Sequence, residues 1–113
     1  MAIISFAKTG DEFLSGKKTV TRRNWTLRQY LMWKNFWLTG NLIHDAYDKL
    51  PRNGGKKIGQ LQLTERPYRY LLKYMTAEDL IAEGGMCSTI KEFCELVGFT
   101  PEKQMTVIWF KKL

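Results

Sequence analysis

The stretch GKKTVTRR, from Gly16 to Arg23, decides how this chain is read. A glycine able to end a helix is followed by two lysines and then a β-branched run carrying two hydroxyls and two arginines. Such a strand presents cationic and hydroxyl donors along one edge, the chemistry that reads phosphate or a base carbonyl. The surroundings sharpen the point. No acidic residue occurs between Glu12 and Asp45, while Lys17, Lys18, Arg22, Arg23, Arg28 and Lys34 all fall there. Across 113 residues the formal net charge is +7. Residues 45–73 hold seven bases against three acids, and residues 74–102 hold six acids against Lys91. A basic first two-thirds and an acidic last third predict one cationic face suited to a polyanion such as RNA.

Bulk composition excludes several classes. Apolar residues make up 44% and charged residues 26%, as in ordinary folded domains. The length suits one domain over residues 1–113. The apolar runs fall short of the roughly 18 residues a membrane span needs, and the N-terminus has no basic region ahead of an apolar one. A cytoplasmic protein without membrane attachment is expected. Cys87 and Cys94 are the two cysteines and His44 the single histidine. With about four ligands needed for a structural metal, neither a metal nor another cofactor is expected. Two helical turns would also hold the cysteines too far apart for a disulfide.

Working outward from Gly16, Thr9 with Glu12 predicts a capping box and a short helix over 11–15. Ala2–Phe6 and Thr19–Arg23 read as strands. Asn24 or Thr26 caps a second helix to about Trp37, with Leu27, Tyr30, Trp33 (or Lys34) and Trp37 along one stripe. Leu42–Leu50 and Ile58–Thr64 read as a pair of strands around Asn53-Gly54, the loop long enough to predict a bulge or flap. His44 falls mid-strand as a structural residue. Arg52, Lys56 and Lys57 form a solvated tip that could extend the cationic face. Tyr68–Leu72 adds a strand after Pro67. Thr76 with Asp79 opens a helix that Gly84-Gly85 ends, and Thr89 with Glu92 opens one that Gly98 ends. Met105–Phe110 is a closing strand. Short helices among hairpin-like strands predict an α+β fold with a curled or closed sheet.

Taken together, these segments resemble an ASCH-domain protein of the PUA-like superfamily. The most specific element is G-x-K-T-x-T-x-R, here Gly16, Lys18, Thr19, Thr21 and Arg23, supported by the GGKKIGQLQLT strand, the DLIAEGG helix end and the VIWF strand. The resemblance implies a small β-barrel of five to six mostly antiparallel strands with short helices around a cleft, and a link to RNA or modified nucleosides. One branch of that family comprises amidohydrolases acting on N4-acetylcytidine, and the resemblance assigns catalytic roles to Lys18 and Thr21 in the motif and to Glu83 in the later IAEGG segment. Other members are linked to RNA binding or RNA cleavage, so a ribonuclease acting on single-stranded RNA is a further expectation. The Trp-rich segment from Trp25 to Leu38 is longer than in the small hydrolases.

The residues themselves support parallel roles. Lys18 among like charges, if partly buried, has its pKa lowered and can act as a base. Thr21 needs such a base to become a nucleophile. Three residues apart on a regular strand, however, the two would face opposite sides, so a kink or turn at Lys18 is required. Glu83 at a helix C-terminus is disfavoured by the dipole and could orient Lys18 or move a proton. Lys17, Arg22, Arg23 and Arg28 are the expected phosphate contacts, and Trp25 beside the arginines is an expected base-stacking ring.

Overall fold

The computed structural model describes residues 2–113. In chain order these form β1 (Ile3–Ser5), α1 (Gly10–Leu14), β2 (Val20–Arg23), α2 (Leu27–Leu38), β3 (Ile43–Tyr47), β4 (Lys57–Leu63), β5 (Tyr68–Leu71), α3 (Ala77–Ala82), α4 (Ile90–Val97) and β6 (Gln104–Lys112). Short 3-10 turns occupy Pro51–Asn53 and Leu72–Tyr74. The architecture is α+β, with six strands curled into a half-barrel and four short helices around it.

β6 is the spine. Its C-terminal half pairs antiparallel with β4, and its N-terminal half pairs with β2 on one edge and β5 on the other. β4 and β5 behave as one strand interrupted at residues 64–67, because their registers along β6 differ by two residues. Pro67 lies in that interruption, where a missing N–H costs no ladder bond. β3 continues the sheet antiparallel to β4, and β1 joins β3 as the single parallel pair. The order β1-β3-β4-β6-β2 therefore leaves β1 and β2 as the two ends of the curl. Full closure would pair both terminal strands on both edges. β6 meets that expectation, whereas β1 has a strand on one edge and leaves Ile3 exposed.

Alternation along β6 builds two cores. Ile108 and Phe110 face the inside of the curl with Phe6, Phe13, Trp33, Leu61 and Leu63. Met105 faces the other side, against Leu72, Leu80, Phe93 and Cys94 under α3 and α4.

The local signals worked unevenly. Thr26 and Gln29 form a reciprocal capping box, as do Thr76 and Asp79. Thr89 caps α4 by accepting the Glu92 N–H, and Gly98 stops that helix at φ +81°. Thr9 makes no such cap. Its backbone, at φ −133° and ψ 27°, lacks the extended geometry that aims a hydroxyl at the third helical N–H, and its side chain is buried instead. The stripe of α2 is also shifted: Trp33, Phe36 and Trp37 pack inward while Leu27 is 58% exposed.

The β3–β4 connection is a nine-residue flap rather than a tight hairpin. Gly54 closes the 3-10 turn at φ +79°. At Gly55 a Cβ would stand 1.9 Å from the Lys49 carbonyl oxygen, so only glycine passes. The expected bulge falls between Ala46 and Tyr47.

Candidate functional site

The two ends of the curl do not hydrogen-bond to each other as strands, and a side chain bridges them. Arg23, at the end of β2, donates from Nη2 to the Ser5 carbonyl on β1 at 2.6 Å and from Nε to Thr21 Oγ1 at 2.9 Å. Its guanidinium lies 5.5 Å from the centroid of the Phe6 ring. A cavity of about 260 Å³ opens at this seam, with Lys18, Thr21, Arg22, Arg23 and Glu83 on its polar wall and Met86, Phe93, Leu96 and Val97 on its apolar one. That volume sits just below the usual range for ligand pockets, so it suits a small ligand.

Lys18 is not part of β2. It lies in the turn before the strand, where its N–H donates to the Glu12 carbonyl. This is the kink the sequence required, and it allows Lys18 and Thr21 to line one cavity. The same turn caps α3 from a distance. Thr19 N–H donates to the Ala82 carbonyl, and Lys18 Nζ donates to the Glu83 carbonyl at 2.8 Å, satisfying two carbonyls that the helix end leaves open.

Glu83 is the hub. Its Oε1 accepts from Lys18 Nζ at 2.8 Å and its Oε2 accepts from Arg22 Nη1 at 2.9 Å, with all three side chains buried. Arg22 Nη2 also lies 3.5 Å from Asp79 Oδ2. The two cations offset the unfavourable helix dipole at Glu83. Burial pushes the Lys18 ammonium below its ordinary pKa, Glu83 opposes the shift, and Arg23 and Arg22 add to it. Burial likewise lowers Arg23, though a guanidinium keeps its charge.

Five of the eight site residues expected from the sequence, Lys18, Thr21, Arg22, Arg23 and Glu83, therefore converge. Among the described residues no hydrogen bond joins Lys18 to Thr21, and Lys18 is held by Glu83. Lys17 is exposed, its stem lying over Gly85. Arg28 is exposed on α2. Trp25 does not line the cavity: its ring stacks on Trp33, with centroids 5.3 Å apart, at the margin of the core. The sequence reading missed the apolar wall and Ser5. It treated Asp79 only as a cap, although Asp79 also faces Arg22. The spacing of Asp79 and Glu83, one helical turn apart, was the available signal. Among the described residues no three His, Cys, Asp or Glu side chains gather in a way that could hold a metal ion. No helix of the described residues is long and apolar enough to cross a membrane.

Neither a family model nor a curated protein matches the sequence. In structure the chain is similar to protein EF3133 of Enterococcus faecalis V583, a crystal structure assigned to family DUF984. The TM-score is 0.64 at 16% identity, covering 100% of this chain and 76% of that one. A likeness at that identity carries the fold alone and no function.

Proposed function

We propose that the seam cavity binds a modified nucleoside and that Lys18, Thr21 and Glu83 hydrolyse an exocyclic amide on it, of the kind found in N4-acetylcytidine. The observation that supports this reading is the convergence of a lysine, a threonine and a glutamate, from segments 65 residues apart, on one cavity of about 260 Å³. The apolar wall suits a flat ring, and the polar wall suits a carbonyl with an exocyclic nitrogen.

The chemistry follows from the buried pair. Lys18 Nζ lies 2.8 Å from Glu83 Oε1, and the burial that lowers the lysine pKa brings its neutral amine within reach. With substrate bound, the neutral amine takes the Thr21 hydroxyl proton directly or through one water as the oxygen attacks the amide carbon. Arg23 holds Thr21 Oγ1 by donating to it, so the hydroxyl hydrogen is directed elsewhere. The C–N bond breaks as the leaving nitrogen takes a proton from Lys18, and water then releases the acid from the Thr21 ester. Nearby cationic charge stabilises the oxyanion.

The arginines argue against the ribonuclease reading. The Arg22 guanidinium is engaged by Glu83 and Asp79, and that of Arg23 by Ser5 and Thr21, so neither offers a free fork to a phosphate.

The test is incubation of the full chain with N4-acetylcytidine, with cytidine and acetate followed by chromatography. Lys18→Ala, Lys18→Arg and Thr21→Ala should abolish release, and Glu83→Gln should slow it by about 10²–10⁴-fold. The rate should rise with pH along a limb below the ordinary lysine value of about 10.4, because the base form lies above a lowered pKa. Wild-type protein that leaves the compound intact would reject hydrolysis, and absence of nucleoside binding by calorimetry would reject the whole reading.

A further inference from the structure

On a different surface, sharing no residue with the cavity, three tyrosines form a row. Tyr68 and Tyr70 lie two apart on β5 and so project to one side of the sheet, opposite Val107 and Met105 of β6. Their rings meet edge to face with centroids 6.0 Å apart, and Tyr70 continues to Tyr74 in the following 3-10 turn at 5.1 Å. One end is anchored, since Trp109 Nε1 donates to Tyr68 Oη at 2.9 Å. The other end is open: Tyr70 is 46% exposed and Tyr74 is 50% exposed.

Single exposed aromatics on a protein are ordinary, but a contiguous row of rings in mutual contact is a patch that wants a partner. The charge around it selects that partner. From Arg66 to Ala77 the chain holds Arg66, Arg69 and Lys73 and no acid. Arg69 turns to the opposite face, 5.9 Å from the Tyr30 ring centroid, leaving the exposed Lys73 beside the row and the exposed Arg66 two residues before Tyr68 in the chain. Lys73 Nζ already stands 5.3 Å from the Tyr74 centroid. The backbone beneath is fixed, because Leu72 and Lys73 donate their N–H groups to Lys103 and Pro101. Firmly held rings flanked by cations form a platform on which unpaired bases stack while their phosphates are neutralised.

We infer that the Tyr68–Tyr70–Tyr74 row is a stacking surface for single-stranded RNA. Tyr70 and Tyr74 each take a base, Lys73 and Arg66 take phosphates, and the tyrosine hydroxyls at the open end meet the ribose 2′-hydroxyls that distinguish RNA from DNA.

The experiment is fluorescence anisotropy of a labelled ten-nucleotide oligouridylate with the full chain over a salt series. The double variant Tyr70→Ala/Tyr74→Ala should weaken binding at least tenfold with an unchanged salt slope. Lys73→Gln should lower the log–log salt slope by about 0.7. Thermal melts of each variant serve as the folding check. Tyr74→Ala alone, at a half-exposed turn position, should still weaken binding several-fold should the double variant melt early. Wild-type affinity in a folded Tyr74→Ala protein, or no binding by the wild type, overturns the proposal. Equal affinity for the deoxy oligomer overturns the assignment to RNA. Nucleoside binding in the cavity should be untouched by these tyrosine changes. Loss of the cavity reading alone would leave oligomer binding intact, so the two failures are distinguishable.

Discussion

Two parts of the acid-free interval met opposite fates. Around the seam, Lys18 and Arg22 are buried and paired with Glu83 and Asp79. On α2, a few residues further on, Arg28 faces solvent, and the aromatic side chains turn inward, Trp33 against His44 and Phe36. In sequence the two stretches look alike, both basic and lacking acids. The difference is supplied by residues about sixty positions away, where α3 brings two carboxylates to one stretch and nothing comparable reaches the other. A local run of charge thus reports which cations exist, and tertiary structure decides which become a site.

The sharpest way to break this contrast is to remove the hub. Glu83→Ala leaves Lys18 and Arg22 buried without that carboxylate, and breaking a buried ion pair from one side typically costs about 3–5 kcal/mol. Urea denaturation of this variant should show a midpoint far below the wild type. An unchanged midpoint would mean that the pair is solvated in solution and that the seam resembles α2 after all.

Next in size is the seam itself. Arg23→Gln deletes the bonds to Ser5 and Thr21, and hydrogen bonds to charged groups contribute about 1.5–3 kcal/mol. The loss should appear as faster hydrogen exchange in β1, which has β3 on its other side, while β6 amides keep their protection. Uniform loss of protection across both strands would show that Arg23 supports the whole sheet and not the join.

His44 probes the α2 side. The ring is fully buried, with Nδ1 accepting from the Ala2 N–H at 3.1 Å and Nε2 within 2.8 Å of the Asn41 carbonyl. Those partners require the neutral tautomer with hydrogen on Nε2. Burial pulls its pKa below the ordinary value. The unfolded chain therefore binds the proton first, and stability is complete above about pH 6.5 and falls as pH drops toward the lower folded pKa, by at most about 1.4 kcal/mol per pH unit. His44→Gln should remove that part of the acid dependence of Tm. An identical acid limb in the variant would assign it to carboxylates instead.

Much of this arrangement was legible beforehand because it is local. Thr26, Thr76 and Thr89 cap their helices, Gly98 and Gly54 take left-handed turns, and alternation along β6 fixes two faces. The motif pointed to Lys18 and Thr21 and the IAEGG segment to Glu83, and the requirement for a turn at Lys18 or a bulge followed from strand geometry alone. What failed depended on distant partners. Thr9 looked like a cap until the seam drew its side chain inward. Arg23 looked like a phosphate contact until Ser5, on a strand eighteen residues earlier, took its donor. Trp25 looked like a stacking ring because it follows two arginines, yet Trp33, two helical turns on, holds it. The tyrosine row was visible only as a strand, since its exposure depends on β5 lying at the margin of the sheet.

The smallest effect is the most discriminating. Lys17 and Arg28 were expected to contact phosphate with Arg22, yet both are exposed and neither lines the cavity. An exposed cation near water interacts through a high dielectric and is screened within about 8 Å at physiological salt. Replacing both with glutamine should leave Tm and nucleoside affinity at their wild-type values. Arg22→Gln should reduce both, because the neutral amide leaves Glu83 and Asp79 short of a buried charge partner. Calorimetric titration of a nucleoside into the two variants makes the comparison directly. Equal losses of affinity would show that the solvated cations act on the cavity through the field of the whole face. A loss confined to Arg22→Gln would show that contact in the seam, and not the number of positive charges nearby, makes the site.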